Sequence, residues 1–341
     1  MKCKQIVFTK INTAELIGTD LPQMGDYDVT VETHISSISC GTERANITGD
    51  PNVSIYGGEN PEVVFPRYLG YSSAGVVIAK GCKVTGVEVG DKVAMFGSFH
   101  KKINILNQAS VVKFDNENIS MQDAALCYIG CFPMAAMRKT RLEAGESMLV
   151  MGLGVLGLLG VAFAKAAGAV PVIAVDPIPE RREKALKFGA DYALDPFDKD
   201  FVSEVKKLTD GGANTAIEVT GLGSGLNQCL DCMAKFGRIA LLGCTRDKNF
   251  TVDYYRKVHG PGIQLIGAHT MARPGVDSAP GYFTTRDDIK SILKLCAYNR
   301  ISIKEMVDEV FLPENCGEVY ARLINDREFP AIAQFDWRNT K

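Results

Sequence analysis

At 341 residues the chain exceeds what one hydrophobic core usually organises, so about two domains are expected. Its composition, 46% apolar and 23% charged with a formal net charge of −2, is that of a globular protein. Nothing in it suggests a nucleic-acid footprint or affinity for a membrane surface. The ten cysteines are scattered with no secretory leader before them, so reduced thiols and a cytoplasmic location are expected.

In the first 120 residues short strands alternate with turns. Val29, Val31 and Ile35 recur at period two, and Ala74–Ala79 and Ile103–Ile105 are similar runs. Gly, Pro, Asn and Asp punctuate them, most densely over Thr48–Pro66. A compact β-barrel-like domain is expected. After Met121 the rhythm changes to strand alternating with helix. Strand candidates are Met148–Met151, Val172–Val175, Tyr192–Leu194, Ala216–Val219, Ile239–Leu242 and Ile263–Ile266. Helical segments lie between the first five: Leu156–Ala167, Glu180–Phe188, Phe201–Leu208 and Leu226–Lys235. This alternation predicts a doubly wound parallel α/β sheet of six strands. The tail carries a helix near Asp287–Tyr298, with Thr284 and Thr285 as candidate caps, and another near Cys316–Ile324.

One uncharged stretch, Ser147–Ala164, approaches the length of a membrane span. Gly152, Gly154, Gly157 and Gly160 interrupt it, and its pattern changes midway. A buried strand–turn–helix is expected instead. There, Gly152-Leu-Gly154-Val155-Leu156-Gly157 follows a strand and opens a helix, the context a dinucleotide fingerprint needs. Gly152 permits the turn, Gly154 the approach of a pyrophosphate, and Gly157 close helix–sheet packing. The free N–H groups at the helix start would hold the diphosphate. Asp176 ends the second strand, where a carboxylate bonds ribose hydroxyls and repels a 2′-phosphate, so NAD is expected over NADP. Arg181 and Arg182 follow and either soften that preference or coat the next helix.

Cys40-Gly-Thr42-Glu43, Leu69-Gly70-Tyr71-Ser72-Ser-Ala-Gly75, Val89-Gly-Asp-Lys-Val93, Cys127-Tyr-Ile-Gly-Cys131 and the glycine turn stand in the order found in medium-chain dehydrogenases, which the chain resembles throughout. Glu218-Val-Thr220-Gly221, Leu241-Leu242-Gly243 and Ile266-Gly-Ala268-His269 resemble the segments that flank nicotinamide there. The resemblance implies a Rossmann domain over 129–270 and a GroES-like β-barrel substrate domain formed from 1–128 and 271–341. It implies a cofactor set of Gly152, Gly154, Val155, Leu156, Gly157, Asp176, Arg181, Thr220, Leu242 and Ala268, and a homodimer or homotetramer.

Zinc members of that family hold a catalytic metal through a cysteine, the histidine of a Gly-His-Glu triplet, and a further cysteine or carboxylate. Cys40 and Cys131 match the outer ligands, but the triplet is Gly70-Tyr71-Ser72. Tyrosine, with an ordinary pKa of about 10, is a poor zinc ligand at neutral pH, and a catalytic zinc normally needs three protein ligands. No catalytic zinc is therefore expected. Cys40 and Cys131, completed by Glu43 or His100, are the alternative. The four-cysteine structural lobe is absent, since no cysteine lies between Cys82 and Cys127.

Without zinc, hydrogen-bond donors must stabilise the charge that hydride transfer builds on oxygen. By the resemblance, Tyr71 stands at the histidine position and Thr42 matches a proton-relaying hydroxyl. Glu43 matches a carboxylate that orients its neighbours, and His100 falls with Phe99 on a pocket-lining strand. Cys40, Thr42, Glu43, Tyr71 and His100 are thus the candidate catalytic residues. His34, His259 and His269 read as structural, and Cys229-x-x-Cys232 as a helix face packed on the sheet.

The expected activity is NAD-linked oxidation of a secondary alcohol: a polyol, a sugar or a sugar derivative. Arg273, Asp277 and Arg286 would suit such a substrate. A zinc-free quinone or enoyl reductase and a non-catalytic NAD-binding protein remain alternatives, the former opposed by Asp176 and Cys40–Glu43.

Overall fold

A computed structural model of the chain describes residues 2–51, 53, 62–245 and 249–340. They form two compact units, Met1–Ile129 with Ile289–Lys341, and Gly130–Asp288. Within the turn-rich stretch Thr48–Pro66, residues 52 and 54–61 lie outside the described residues.

The first unit opens with an antiparallel hairpin, β1 (Lys2–Lys10) and β2 (Thr13–Asp20). Asn12 turns it with φ 56°, a left-handed conformation that asparagine tolerates. Strand β3 (Asp28–Ser37) follows and leads into helix α1 (Cys40–Ile47). Then come β4 (Arg67–Tyr68), β5 (Ser72–Lys80), β6 (Lys92–Phe96), β7 (Ile103–Asn107) and β8 (Val111–Lys113). Strand β3 is the hub: it pairs with β5 along its length and with β7 at its start. Val29, Val31 and Ile35, an even number of positions apart, are all buried, and the register against β5 shifts between Thr30 and Val31 and again between Thr33 and Ile35. Helix α1 is absent from the sequence reading. Gly41, Thr42 and Asn46 are weak helix formers, and the side chain that closes its first turn, Glu43, becomes apparent only in three dimensions.

Helix α2 (Met121–Lys139) also escaped the sequence reading, since Gly130 and Pro133 interrupt its apolar pattern. The second unit then alternates β9 (Met148–Met151), α3 (Val155–Ala166), β10 (Val172–Val175), α4 (Pro179–Lys187), β11 (Tyr192–Leu194), α5 (Phe201–Leu208), β12 (Ala213–Glu218), α6 (Gly223–Asp231), β13 (Met233–Leu241) and β14 (Gln264–Gly267). The sheet is six-stranded and parallel, in the order β11-β10-β9-β12-β13-β14. Strand order reverses beside β9, and in such sheets ligands bind off the carboxyl ends of the strands at that point. The uncharged stretch of the sequence is β9, its turn and α3, and no helix among the described residues is long and apolar enough to cross a membrane.

Helix α6 stops earlier than its sequence pattern suggests. Met233 already pairs with Ala213 in β13, and a bulge with Phe236 at φ 62° accommodates the early start. Cys229 and Cys232 are fully buried in the core beneath it, with Leu149, Ile173 and Ile239. Helix α7 (Thr285–Ala297), β15 (Glu309–Phe311), α8 (Cys316–Asn325) and β16 (Ala333–Asp336) complete the chain. Thr284 caps α7 reciprocally with Asp287: the Asp287 N–H reaches its hydroxyl at 3.2 Å, and the hydroxyl donates back to the carboxylate at 3.0 Å. Strand β16 pairs with the end of β3 and joins the tail to the first sheet.

Candidate active site

In the second unit, the turn after β9 is built around glycine. Gly152 has φ +98°, and Gly154 forms the N-cap of α3, where an added Cβ would meet nothing within 4 Å. Gly154 thus puts no side chain over the opening turn of a twelve-residue helix, which favours the approach of an anion to its N–H groups. Val155 and Leu156 begin that helix. The buried Asp176 carboxylate binds the turn: one oxygen accepts the Leu153 N–H at 2.8 Å, the other the Ile178 N–H at 2.9 Å. Arg181 lies 3.7 Å from the same carboxylate. Arg182 bonds the Asp176 carbonyl at 2.7 Å and Asp195 at 3.1 Å, so it ties two strand ends together. Thr220, Leu242 and Ala268 sit just beyond the carboxyl ends of β12, β13 and β14. Glu218, whose individual role the sequence did not disclose, organises this edge. Its carboxylate accepts the Thr220 N–H at 2.8 Å, the Thr220 hydroxyl, and the Gly221 N–H at 3.2 Å. Its backbone carbonyl takes the Leu242 N–H at 2.9 Å. Burial raises the carboxyl pKa in spite of these donors.

The first unit gathers most of the catalytic candidates. Ser39 is the N-cap residue of α1, yet its hydroxyl caps nothing. The Tyr71 hydroxyl donates to it, and the Thr42 hydroxyl also bonds the phenol. Burial pushes the Tyr71 phenol well above its ordinary pKa, so it stays protonated. Its ring meets Tyr128 edge-on, with centroids 5.6 Å apart. Glu43 is fully buried and accepts the Ser39 N–H at 2.9 Å and the Tyr320 hydroxyl at 2.6 Å. The His100 Nε2 stands 3.2 Å from the same carboxylate.

His100 departs from its expected place on a pocket wall. It is fully buried, with Nδ1 2.7 Å from the Ser36 hydroxyl. The Trp337 indole N–H donates to that hydroxyl at 2.8 Å, so Ser36 bridges the indole and the imidazole. Both ring nitrogens are thus committed internally. Gly70, at φ +101°, lets the backbone pass this ring, since a Cβ there would lie 2.3 Å from its Cγ. Tyr320 and Trp337 could not be found from sequence because they are nearly three hundred positions from their partners. Ser39 carried a signal, a serine directly before a helix start, but that helix was itself missed.

The cysteine pair behaves differently. The Cys40 thiol faces the Pro330 carbonyl at 3.6 Å, and the buried Cys131 thiol faces that of Thr285 at 3.6 Å. Burial raises the Cys131 pKa far above its ordinary value. Among the described residues no three His, Cys, Asp or Glu side chains are arranged to hold a metal ion. Arg273 is turned inward, donating to the Cys131 carbonyl at 2.9 Å and lying 3.4 Å from Asp288, while Asp277 is exposed.

Comparison with known proteins adds to this geometry. Residues 155–277 match the model of a family described as zinc-binding dehydrogenase. L-threonine 3-dehydrogenase of Pyrococcus furiosus is 34% identical over 74% of this chain and 79% of its own. D-guloside 3-dehydrogenase of Escherichia coli is 28% identical over 77% and 75%. Among solved structures, galactitol-1-phosphate dehydrogenase of Escherichia coli superposes with a TM-score of 0.83 at 17% identity, covering 98% of this chain and 99% of that one.

Proposed function

The chain belongs to the zinc-binding dehydrogenase family of medium-chain dehydrogenases, and from that premise we propose that it is an NAD-linked alcohol dehydrogenase that works without catalytic zinc. Its substrate class is a secondary alcohol bearing further polar groups: a polyol, a sugar or a sugar derivative. Relatives named for L-threonine and a D-guloside support that class.

The zinc-free reading is supported by Tyr71, a protonated phenol bonded to Ser39 and Thr42, which the resemblance puts where the family has its histidine ligand. The Cys40 and Cys131 thiols each face a backbone carbonyl of their own unit. Bound NAD would supply the hydride acceptor. Gly152, Gly154 and the start of α3 would hold its diphosphate, and Asp176 its ribose hydroxyls. In the reducing direction negative charge grows on the carbonyl oxygen, and Tyr71 would turn its hydroxyl from Ser39 to donate a hydrogen bond to it. Its raised pKa suits a donor and excludes a phenolate base at neutral pH. Thr42 supports the phenol oxygen. Glu43 and His100 lie beneath and hold α1 in place.

The test is metal content of protein purified without added zinc, combined with NAD-linked turnover of L-threonine, D-sorbitol and galactitol 1-phosphate before and after chelation. Turnover that persists without stoichiometric zinc is expected. Stoichiometric zinc, with activity lost on chelation, would overturn the zinc-free reading.

A further inference from the structure

We propose that Glu218 is a positioning residue for the nicotinamide half of the cofactor, holding the Thr220–Gly221 turn against which that half lies. The inference deepens the function proposed above and rests on its NAD-linked reading.

The order of the sheet fixes the direction in which a dinucleotide runs. On that reading the glycine turn after β9 receives the diphosphate, and Asp176, directly after β10, takes the adenosine ribose on one side of it. The other half of the cofactor then extends across the opposite side of β9, over the ends of β12 and β13. Glu218 is the last residue of β12, the strand next to β9 on that side.

Glu218 serves this edge through backbone and side chain together. Its carbonyl accepts the N–H groups of Leu242 at 2.9 Å and Gly243 at 2.8 Å. One carboxylate oxygen accepts the Thr220 N–H at 2.8 Å and the Thr220 hydroxyl, and the other accepts the Gly221 N–H at 3.2 Å. The Thr220 hydroxyl, its proton committed to Glu218, accepts the Leu222 N–H at 3.1 Å. The turn has little slack. A Cβ on Gly243 would stand 2.3 Å from the Gly221 nitrogen, and one on Gly221, at φ +65°, 2.8 Å from the Cys244 carbonyl oxygen. Glu218 is only 3% exposed, so its carboxylate acts through Thr220 and Gly221 and not by touching a ligand. Burial opposes its charge, and a neutral amide would avoid that cost. A carboxylate, however, presents acceptors alone to three converging donors.

Replacement by glutamine separates the two halves of the cofactor. The amide has one oxygen, which stays with the two Thr220 donors, and its NH2 group meets the Gly221 N–H donor to donor. Thr220, whose methyl lies 3.1 Å from the Cβ position of Gly152, therefore keeps its place beside the glycine turn, while Gly221 is displaced. The loss falls on whatever lies over Gly221 and spares the diphosphate and adenosine.

The experiment measures binding of NADH and of ADP, which carries the adenosine and diphosphate only, by calorimetry. It compares the parent with Glu218→Gln and with Thr220→Val, which keeps the methyl and the carboxylate but removes the hydroxyl between Glu218 and the Leu222 N–H. Glu218→Gln is expected to weaken NADH binding about tenfold, equivalent to ~1.4 kcal/mol, with ADP binding close to that of the parent. Thr220→Val should show the same selective loss. Retained ADP binding shows in addition that the nucleotide-binding unit is folded. Unchanged NADH binding in Glu218→Gln, or equal losses of NADH and ADP, would overturn the proposal. If Glu218→Gln does not fold, Thr220→Val decides by the same two outcomes. Parent protein that binds NADH but turns over none of L-threonine, D-sorbitol and galactitol 1-phosphate would sink the proposed substrate class and leave the role of Glu218 standing. Parent protein that binds ADP but not NADH would sink the NAD-linked reading and this role with it.

Discussion

Gly157 and Gly152 are in backbone contact: a Cβ on Gly157 would stand 1.8 Å from the Gly152 carbonyl oxygen. The neighbouring Gly154 has the opposite surroundings, with φ −69° and open space where a Cβ would project. The two glycines should therefore fail differently. Gly157→Ala is expected to unfold the turn and lower the urea midpoint, at a cost of ~3 kcal/mol or more, as overpacking against backbone dictates. Gly154→Ala should leave the midpoint in place and weaken NADH binding at least about tenfold (~1.4 kcal/mol), read by nicotinamide fluorescence. Equal effects of the two on stability would refute this division.

Asp176 is expected to set cofactor preference by charge. Asp176→Asn keeps a carbonyl oxygen for the Leu153 N–H but removes the carboxylate that repels a 2′-phosphate. The ratio of kcat/KM with NADP to that with NAD should rise about tenfold or more (~1.4 kcal/mol). Arg181, 3.7 Å away, would then be free of its ion pair and add to the change. A ratio that does not move would place the ribose contact elsewhere.

Tyr71→Phe removes one hydroxyl and little else, since the edge contact with Tyr128 survives. Loss of an oxyanion donor typically lowers kcat by about 10²–10³, and that range is expected here in both directions of the reaction. NADH affinity should hold. Full activity in Tyr71→Phe would remove this phenol from the chemistry.

Burial raises the Asp288 carboxyl above its ordinary range, outweighing the opposing pull of Arg138 and Arg273. The folded chain therefore holds this proton more tightly than the unfolded chain, whose carboxyl titrates near about 3.9. Its contribution to stability is complete below that value and is lost as pH rises through the folded pKa. Urea midpoints measured upward from pH 4 should fall less steeply for Asp288→Asn than for the parent. Identical slopes would show that this carboxyl titrates alike in both states.

Thiol chemistry tests the burial pattern as a whole. Cys82 and Cys244 are exposed, whereas Cys127, Cys131, Cys229, Cys232, Cys296 and Cys316 are buried. Burial pushes Cys232 and Cys296 up to about 12 and Cys316 to about 11, so little thiolate forms at pH 8. A maleimide should modify Cys244 first. Cys82 should follow more slowly, because its thiol donates to Asp26 and its pKa is raised. Rapid native-state labelling of Cys229 or Cys232 would contradict the packing beneath β13.

Much of the second unit was legible because parallel strands buried on both faces write themselves as continuous apolar runs. Met148–Met151 and Val172–Val175 are such runs, buried throughout. The glycine turn was legible for a related reason: Gly152, at φ +98°, and Gly157, pressed against the Gly152 carbonyl, admit few other residues. Helix α1 was not, because its closing contact joins Glu43 to Ser39 in a stretch of weak helix formers.

The sequence by itself thus determined the α/β architecture and the place of the glycine turn after β9, both matters of local residue type and spacing. Only the tertiary structure decided the environment of each polar group. His100 became an internal tie between Ser36 and Glu43, and Tyr320 and Trp337 entered the network from the far end of the chain. The reason is physical: a buried donor or acceptor must find a partner wherever the fold brings one, and the hydrophobic burial that sets those meetings acts without regard to distance along the chain.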